Sequence, residues 1–351
     1  MPLNNGSRKG RERMYKRLII ERPEKLTLRE YSLNNEISYG EAIVRIDYMG
    51  ICGSDLHVLA GKHPFVEYPV SIGHKVVGTV LKSKKFEPGT NVVIKPSVTC
   101  GKCFYCTHNM SHLCEDLKVR GFQYEGLAGR IAKLPESALF QINTQRKPLI
   151  NFTLTEPLST ATHAGKLVSV AGKNILVIGL GTIIGILTAA VVKHYGAKNV
   201  IGIDINPWKL EKAKEFGFVS QSVLYEPGMD IRKLLHGELI DVVFEAVSVK
   251  STINTAFDFI RKSGSIIVLG VFSGPTEIPI HLVQDREIEV KGALMYTDDD
   301  FSESIHLIEN NIVDTSKLIS KIYKGLENAE KAFEYARKEK NSFKTIIELV
   351  D

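Results

Sequence analysis

Residues 174–185 read NILVIGLGTIIG, an apolar run that passes into three glycines at the spacing G-x-G-x-x-G. The run has the β-branched composition of a buried parallel strand, and a helical stretch follows the last glycine. In such a turn the first glycine makes the bend, the second lets a pyrophosphate approach the backbone, and the third lets helix and strand pack closely. The sequence therefore predicts a dinucleotide site on this turn. Its residues are Gly179, Gly181, Thr182, Ile183 and Gly185.

The next apolar run, residues 199–204, ends in an acidic residue. Asp204 follows the glycine turn by about 20 residues, the spacing at which a carboxylate accepts hydrogen bonds from a ribose. Such a carboxylate repels a 2′-phosphate, so the sequence favours NAD over NADP, although Lys209 nearby would soften that preference. The alternative for Asp204 is a helix N-cap before Asn206 and Pro207.

The pattern of apolar residues divides the chain into two kinds of structure. Strands alternate with helices through the middle of the chain, which predicts a doubly wound parallel sheet and an α/β fold class. Short alternating segments split by turn signals precede it, as in a β-rich, barrel-like domain. The expected boundaries are a disordered leader at 1–13, a β-rich domain at 14–155 and 289–351 with a cysteine lobe at 96–116, and a dinucleotide-binding domain at 156–288.

Four of the five cysteines are spaced C-x2-C-x2-C-x7-C, which lets four thiolates converge on one closed zinc site. They are Cys100, Cys103, Cys106 and Cys114. The alternative, a pair of disulfides, is typical of secreted proteins, and no signal peptide precedes this lobe. Reduced cysteines also lead us to expect a cytoplasmic protein.

The composition of the 351-residue chain is that of a globular protein, with 44% apolar and 24% charged residues. Part of the formal net charge of +5 comes from basic residues in the first thirteen positions, so nothing indicates a nucleic-acid or membrane partner. The fifth cysteine, Cys52, lies in the segment GICGSDLH, and Gly73-His74 follows downstream. A lone cysteine and a histidine, with a carboxylate still to be found, suggest a second zinc with an open coordination position.

Taken together, these motifs resemble the medium-chain, zinc-dependent alcohol and polyol dehydrogenases. The similarity covers residues 14–351 and includes GICGSDLH, the segment GHKVVGTV at 73–80, the cysteine lobe, EPLS at 156–159 and the glycine turn. It implies a GroES-like catalytic domain, a Rossmann coenzyme domain, and two zinc ions per chain, one structural and one catalytic. By this resemblance Cys52, His74 and Glu156 are the catalytic zinc ligands, and Asp55 holds His74 in its metal-binding tautomer.

The same resemblance implies a route for the two products of alcohol oxidation. Hydride leaves the carbinol carbon for the nicotinamide of NAD. Ser54 takes the proton from the alcohol oxygen and passes it through the cofactor ribose to His57, which reaches solvent.

Lys75 departs from the family pattern, because most relatives have an acid directly after the zinc-ligating histidine. Its ammonium either points away, pairs with a carboxylate, or meets an anionic substrate. The leading hypothesis is an NAD-dependent dehydrogenase acting on a secondary alcohol of a small polar polyol or sugar, as a homo-dimer or homo-tetramer. One alternative is an anionic substrate, such as a sugar acid or a hydroxy amino acid like threonine. Another is a non-catalytic dinucleotide-binding protein that keeps only the structural zinc.

Overall fold

The computed structural model describes residues 14–226, 228–229 and 237–349. The leader expected at residues 1–13 lies outside the described residues. The strands are β1 (Met14–Arg22), β2 (Lys25–Ser32), β3 (Glu41–Gly50), β4 (Val70–Ser71), β5 (Val76–Lys82), β6 (Asn91–Ile94), β7 (Ser97–Val98), β8 (Lys118–Val119), β9 (Ile131–Pro135), β10 (Leu139–Gln141), β11 (Asn174–Ile178), β12 (Asn199–Asp204), β13 (Gln221–Leu224), β14 (Ile240–Glu245), β15 (Ile260–Val268), β16 (Glu289–Gly292), β17 (Ile319–Lys324) and β18 (Lys344–Glu348). The α-helices are α1 (Gly53–Leu59), α2 (Phe104–Thr107), α3 (Thr155–Lys166), α4 (Ile183–His194), α5 (Pro207–Glu215), α6 (Lys250–Phe259), α7 (Ile280–Asp285), α8 (Asp298–Glu309) and α9 (Ala329–Lys338).

The predicted parallel sheet is confirmed. It has the order β13-β12-β11-β14-β15-β16, and every neighbouring pair is parallel. Strand β11 is buried along its whole length, as its continuous apolar sequence predicts. The strand order reverses between β11 and β14, and the glycine turn follows β11 directly. Ligands of doubly wound folds bind at such a reversal, so the turn lies where a dinucleotide is expected.

The β-rich part of the chain contains a sheet of order β10-β6-β5-β3-β18-β17, with β9 also paired to β3, and a smaller sheet of order β2-β1-β4. Strand β18 comes from the C-terminal segment and pairs antiparallel with β3, with Ile346 opposite Gly50. The C-terminal segment therefore completes the first sheet, as expected.

The boundary expected at Glu289 is wrong. Glu289–Gly292 forms β16, which pairs in parallel with β15 at the edge of the dinucleotide-binding sheet. All four residues of β16 are exposed, so its sequence lacks the apolar signal of the inner strands. The chain returns to the β-rich domain only beyond this edge strand.

Helix α3 connects the two parts of the molecule. Glu156 lies in the first turn of α3. The C-terminal end of α3 packs against α4, the helix that follows the glycine turn. The fit is close, because a Cβ on Gly165 would lie 3.2 Å from Val191 and 3.1 Å from the ring of Tyr195. The fold thus places Glu156 on a helix that is packed against α4, the helix that follows the dinucleotide-binding turn. Separately, none of the described helices is long and apolar enough to cross a membrane.

Candidate active site and metal centres

The four cysteines of the lobe come together between β7 and β8. Their Sγ atoms all lie within 4.8 Å of one another, and those of Cys100 and Cys106 are 3.9 Å apart. A zinc ion with Zn–S bonds of about 2.3 Å requires its tetrahedral sulfurs to be about 3.8 Å apart. All five cysteines of the chain are free thiols, which argues against the disulfide alternative. The lobe fits a structural zinc in both donor type and spacing.

Backbone amides lower the pKa of two of these thiols, Cys100 and Cys103. The amide of Cys103 donates to Cys100 Sγ at 3.4 Å, and the amide of Cys100 donates to Cys114 Sγ at 3.3 Å. The backbone amides of Glu115 and Cys106 lower the pKa of Cys103 to about 6. Because the thiolate is the form that binds zinc, these amides favour the metal-binding state.

Cys52 lies at the N-terminus of α1, the short helix that carries three further predicted site residues. The Asp55 carboxylate accepts a hydrogen bond from the Cys52 amide at 2.8 Å, which fixes the start of the helix. Ser54 and His57 are three residues apart and therefore share one helix face. Ser54 is half-buried and His57 is exposed, the order that a proton path from a site to solvent requires.

His74 is buried beside the carboxylate of Asp55. Its Nδ1 lies 3.3 Å from Asp55 Oδ1, but the contact lacks hydrogen-bond geometry, so neither atom has a hydrogen-bond partner among the described residues. Burial lowers the pKa of His74, but the Asp55 carboxylate outweighs burial and raises the pKa to about 9. With Nδ1 turned toward Asp55, Nε2 is the nitrogen left for a metal.

Lys75 forms a buried ion pair with Glu156. Its Nζ donates to Glu156 Oε2, and only 5% and 13% of the two side chains are exposed. The other carboxylate oxygen, Oε1, lies 3.5 Å from the hydroxyl of Tyr296. Burial lowers the pKa of Lys75, but the charges of Cys52 and Glu156 outweigh burial and raise it. Of the three roles left open for Lys75, the structure supports pairing with a carboxylate, and that carboxylate is the expected zinc ligand.

The positive charge of Lys75 also affects the pKa of the Cys52 thiol. Burial raises its pKa, but Lys75 and His74 outweigh burial and lower the pKa to about 6. The side chains of Cys52, His74, Lys75 and Glu156 therefore form one cluster of interacting charges, which we call the acceptor cluster.

Sequence reasoning missed Lys344, a second buried lysine near the acceptor cluster. Only 2% of the residue is exposed, and its Nζ donates to the carbonyl oxygen of Ile51 at 2.8 Å. Burial and the positive charge of Lys75 lower its pKa to about 8. Its stem passes over Gly50, where a Cβ would lie 2.7 Å from Lys344 Cε. The only signal in the sequence is a lysine at the start of an apolar strand, which does not indicate a site.

The ligand atoms of the three residues expected to bind the catalytic zinc do not all lie within 4.8 Å of one another. Among the described residues, the cysteine lobe is the only group of three or more Cys, His, Asp or Glu ligand atoms within 4.8 Å of one another. The Glu156 carboxylate is held by Lys75. The donor types of Cys52, His74 and Glu156 nevertheless fit a catalytic zinc, since sulfur, imidazole and carboxylate leave a fourth position open.

The glycine turn has the backbone that its sequence predicts. Gly179 has a φ of +85°, which favours glycine, and a Cβ on Gly185 would lie 2.1 Å from the Gly179 carbonyl oxygen. The Thr182 hydroxyl accepts a hydrogen bond from the Gly185 amide at 2.9 Å and caps α4. Ile183 begins that helix. The free amides at its start face the place where a pyrophosphate would lie.

Asp204 is beside this turn and does not cap a helix. Its Oδ2 accepts a hydrogen bond from the Gly181 amide at 2.8 Å, and its Oδ1 accepts one from the Asn206 amide at 2.9 Å. The N-cap of α5 is Asn206, whose side chain accepts from the Lys209 amide, so the alternative role for Asp204 is excluded. Lys209 also donates from Nζ to the carbonyl oxygen of Gly181 at 2.8 Å.

Known protein families match both structural parts of the chain. Residues 38–144 match the family model "Alcohol dehydrogenase GroES-like domain", and residues 184–310 match "Zinc-binding dehydrogenase". An uncharacterized zinc-type alcohol dehydrogenase-like protein of Haemophilus influenzae is 29% identical over 318 residues, 88% of this chain and 91% of that protein. Sorbitol dehydrogenase of Bacillus subtilis is 28% identical over 319 residues, 87% of this chain and 89% of that protein.

Among solved structures, L-idonate 5-dehydrogenase of Escherichia coli has a TM-score of 0.87 and 25% identity, and the similarity covers 96% of this chain and 99% of that one. The two family models match successive parts of the chain, and sorbitol dehydrogenase of Bacillus subtilis matches across both parts. This chain is thus an oxidoreductase that belongs to the zinc-dependent medium-chain alcohol and polyol dehydrogenases.

Proposed function

We propose that the chain oxidises a secondary alcohol of a small polar polyol or sugar, with NAD as the hydride acceptor and a zinc ion at Cys52, His74 and Glu156. The observation that carries the proposal is the position of Glu156. It belongs to the acceptor cluster, and its helix packs against the helix of the glycine turn. Helix α3 therefore links the expected metal site to the helix of the expected coenzyme site.

The chemistry is divided between bound groups and the chain. A zinc ion bound here polarises the alcohol oxygen, and bound NAD accepts the hydride. Asp55 keeps the ring of His74 oriented, and the Ser54 hydroxyl takes the proton of the alcohol. His57, one turn further along α1 and exposed, releases that proton to water.

The coenzyme is positioned by the glycine turn and Asp204. The amides at the start of α4 hold the pyrophosphate, and Asp204 accepts hydrogen bonds from the ribose hydroxyls. Both Asp204 oxygens accept hydrogen bonds from backbone amides, so the position of the carboxylate is fixed. Its negative charge would therefore repel a 2′-phosphate on the ribose.

We also propose the organisation of the whole protein. A catalytic domain comprises residues 14–155 and the segment beyond β16, and a coenzyme domain extends from Glu156 to Gly292. A cytoplasmic location is supported by the free cysteines, and a homo-dimer or homo-tetramer is proposed from the family resemblance. Native mass measurement tests the oligomeric state.

The substrate is identified with a panel of polyols, sugars, aldonates and hydroxy amino acids, followed by NADH absorbance. We expect the highest kcat/KM with a polyol. NADH formation with none of the panel, in zinc-loaded protein, contradicts the proposed function.

An anionic substrate is the second candidate, and Lys344 favours it. Lys75, which first suggested an anion, is compensated by Glu156, whereas the Lys344 ammonium donates to a backbone carbonyl. The aldonates of the panel test this candidate directly. If the substrate is anionic, the aldonates are turned over faster than the matching polyols. Replacement of Lys344 by Met then raises the KM for the aldonates selectively.

A further inference from the structure

The Lys75–Glu156 ion pair engages the same carboxylate that a catalytic zinc needs. Lys75 occupies Oε2, and the Tyr296 hydroxyl lies 3.5 Å from Oε1. Both charged side chains are largely buried, at 5% and 13% exposure. A buried carboxylate requires a cationic or hydrogen-bonding partner, and here protein groups already supply it.

The charges around Cys52 and His74 lead to the same conclusion. Lys75 and Lys344 both lie beside Gly50, where a Cβ would be 3.7 Å from Lys75 Cβ and 2.7 Å from Lys344 Cε, and Lys344 Nζ donates to the carbonyl oxygen of Ile51, the residue before Cys52. A divalent cation bound to Glu156 would meet the Lys75 ammonium in a region of low dielectric constant, where like charges repel strongly. Lys75 therefore already fills the electrostatic role of a cation in this cluster.

We propose that Lys75 is an internal competitor of the catalytic zinc. Its ammonium and the metal require the same Glu156 carboxylate, so zinc completes its ligand set only after Lys75 has released Glu156. This inference rests on the proposed assignment of Cys52, His74 and Glu156 as the ligands. It predicts a catalytic zinc that is bound weakly and exchanges readily, beside a structural zinc that does not.

The test measures metal affinity instead of activity. Full-length protein is first treated with a mild chelator until one zinc per chain remains in the cysteine lobe. It is then titrated with Co²⁺, and the thiolate-to-cobalt charge-transfer band of Cys52 is recorded. The same titration of Cys52→Ser must lack that band, which identifies its origin.

The variants are Lys75→Met, Lys75→Gln and, as a matched control, Lys344→Met. The two lysines are both buried, so the control removes the same charge without breaking the contact to Glu156. We expect both Lys75 variants to bind Co²⁺ at least tenfold more tightly than the wild type, and the control to gain less than threefold. Lys75→Gln keeps a donor for Glu156 and serves if Lys75→Met folds poorly.

A second measurement uses thermal unfolding. Without metal, Lys75→Met leaves Glu156 buried without its cation, so its Tm should fall, and added Co²⁺ should raise that Tm more than it raises the wild-type Tm. Equal Co²⁺ affinities of the wild type and both Lys75 variants, with the Cys52 band present, overturn this inference alone. An increase in Co²⁺ affinity for Lys344→Met as large as that for Lys75→Met also overturns this inference alone. Absence of the band in every protein overturns the ligand assignment and this inference with it.

Discussion

The Asp204 carboxylate accepts a hydrogen bond from the backbone amide of Gly181 at 2.8 Å. This contact joins the end of β12 to the middle of the glycine turn. It places a fixed negative charge beside the backbone that is expected to bind the pyrophosphate. Coenzyme preference is therefore the property of this chain that can be tested most directly.

Wild-type kcat/KM should be at least tenfold higher with NAD than with NADP, which corresponds to about 1.4 kcal/mol. Asp204→Asn should reduce that ratio, because the amide oxygen can still accept from Gly181 while the charge that repels a 2′-phosphate is gone. The ratio is obtained from initial rates with both coenzymes. Comparable wild-type values for the two would show that Asp204 does not face the ribose.

Replacing Cys103 by Ser should remove about one zinc per chain and lower the Tm, because the lobe loses one of four thiolates that lie within 4.8 Å of one another. Metal content by mass spectrometry and thermal unfolding measure the two effects. Cys52→Ser is the control, since it changes a cysteine outside the lobe and should keep the structural zinc. A folded Cys103→Ser protein with full zinc content would rule out the lobe as the structural site.

Glu156→Ala should abolish nearly all turnover and prevent zinc from binding at Cys52 and His74, while the lobe keeps its metal. The variant removes a ligand and also leaves the Lys75 ammonium unpaired beside the site. Tyr296→Phe is the matched control, because it removes only the weaker 3.5 Å contact to the same carboxylate. Zinc content and NADH formation are measured with zinc in excess. Two zinc ions and wild-type activity in Glu156→Ala would mean that other residues build the site.

Asp300 should stabilise the fold at neutral pH and lose that effect in acid. Its carboxylate lies 2.8 Å from both His163 Nδ1 and Lys166 Nζ, and although burial raises its pKa, these contacts lower the pKa overall. A lowered folded-state pKa means that the stabilisation is present above the unfolded value of about 3.9 and is lost as the pH falls through the folded value. Asp300→Asn should cost about 2 kcal/mol at pH 7.

The measurement is urea unfolding of the wild type and Asp300→Asn between pH 7 and pH 3. The difference in free energy of unfolding should shrink toward the acidic end. Asp299→Asn is the control, because it lies in the same helical turn and is exposed. A difference that stays constant with pH would show that the ionised carboxylate is not the cause.

The parts of the molecule that could be predicted are those encoded by neighbouring residues. The glycine turn and the cysteine lobe each occupy a short segment whose spacing reflects the geometry of one ligand. The strand β16 was missed for the opposite reason, since an exposed edge strand of four residues has no apolar pattern.

The contacts that decide the charge of the active site could not be predicted, because they join distant positions. Lys75 and Glu156 are 81 residues apart, and Lys344 is 293 residues from the carbonyl that it contacts. From the sequence alone, three roles remained open for Lys75. Only the packing of α3 and β18 against the zinc-ligand segments decides which charges meet.

The close approach of Lys344 to Gly50 has an evolutionary consequence. A methyl group at position 50 would lie 2.7 Å from Lys344 Cε, so the lysine side chain would have to move to accommodate it. A homologue with a residue larger than glycine at position 50 should carry a side chain shorter than lysine at position 344. The two positions should therefore covary across the family, although one lies before the glycine turn and the other near the C-terminus.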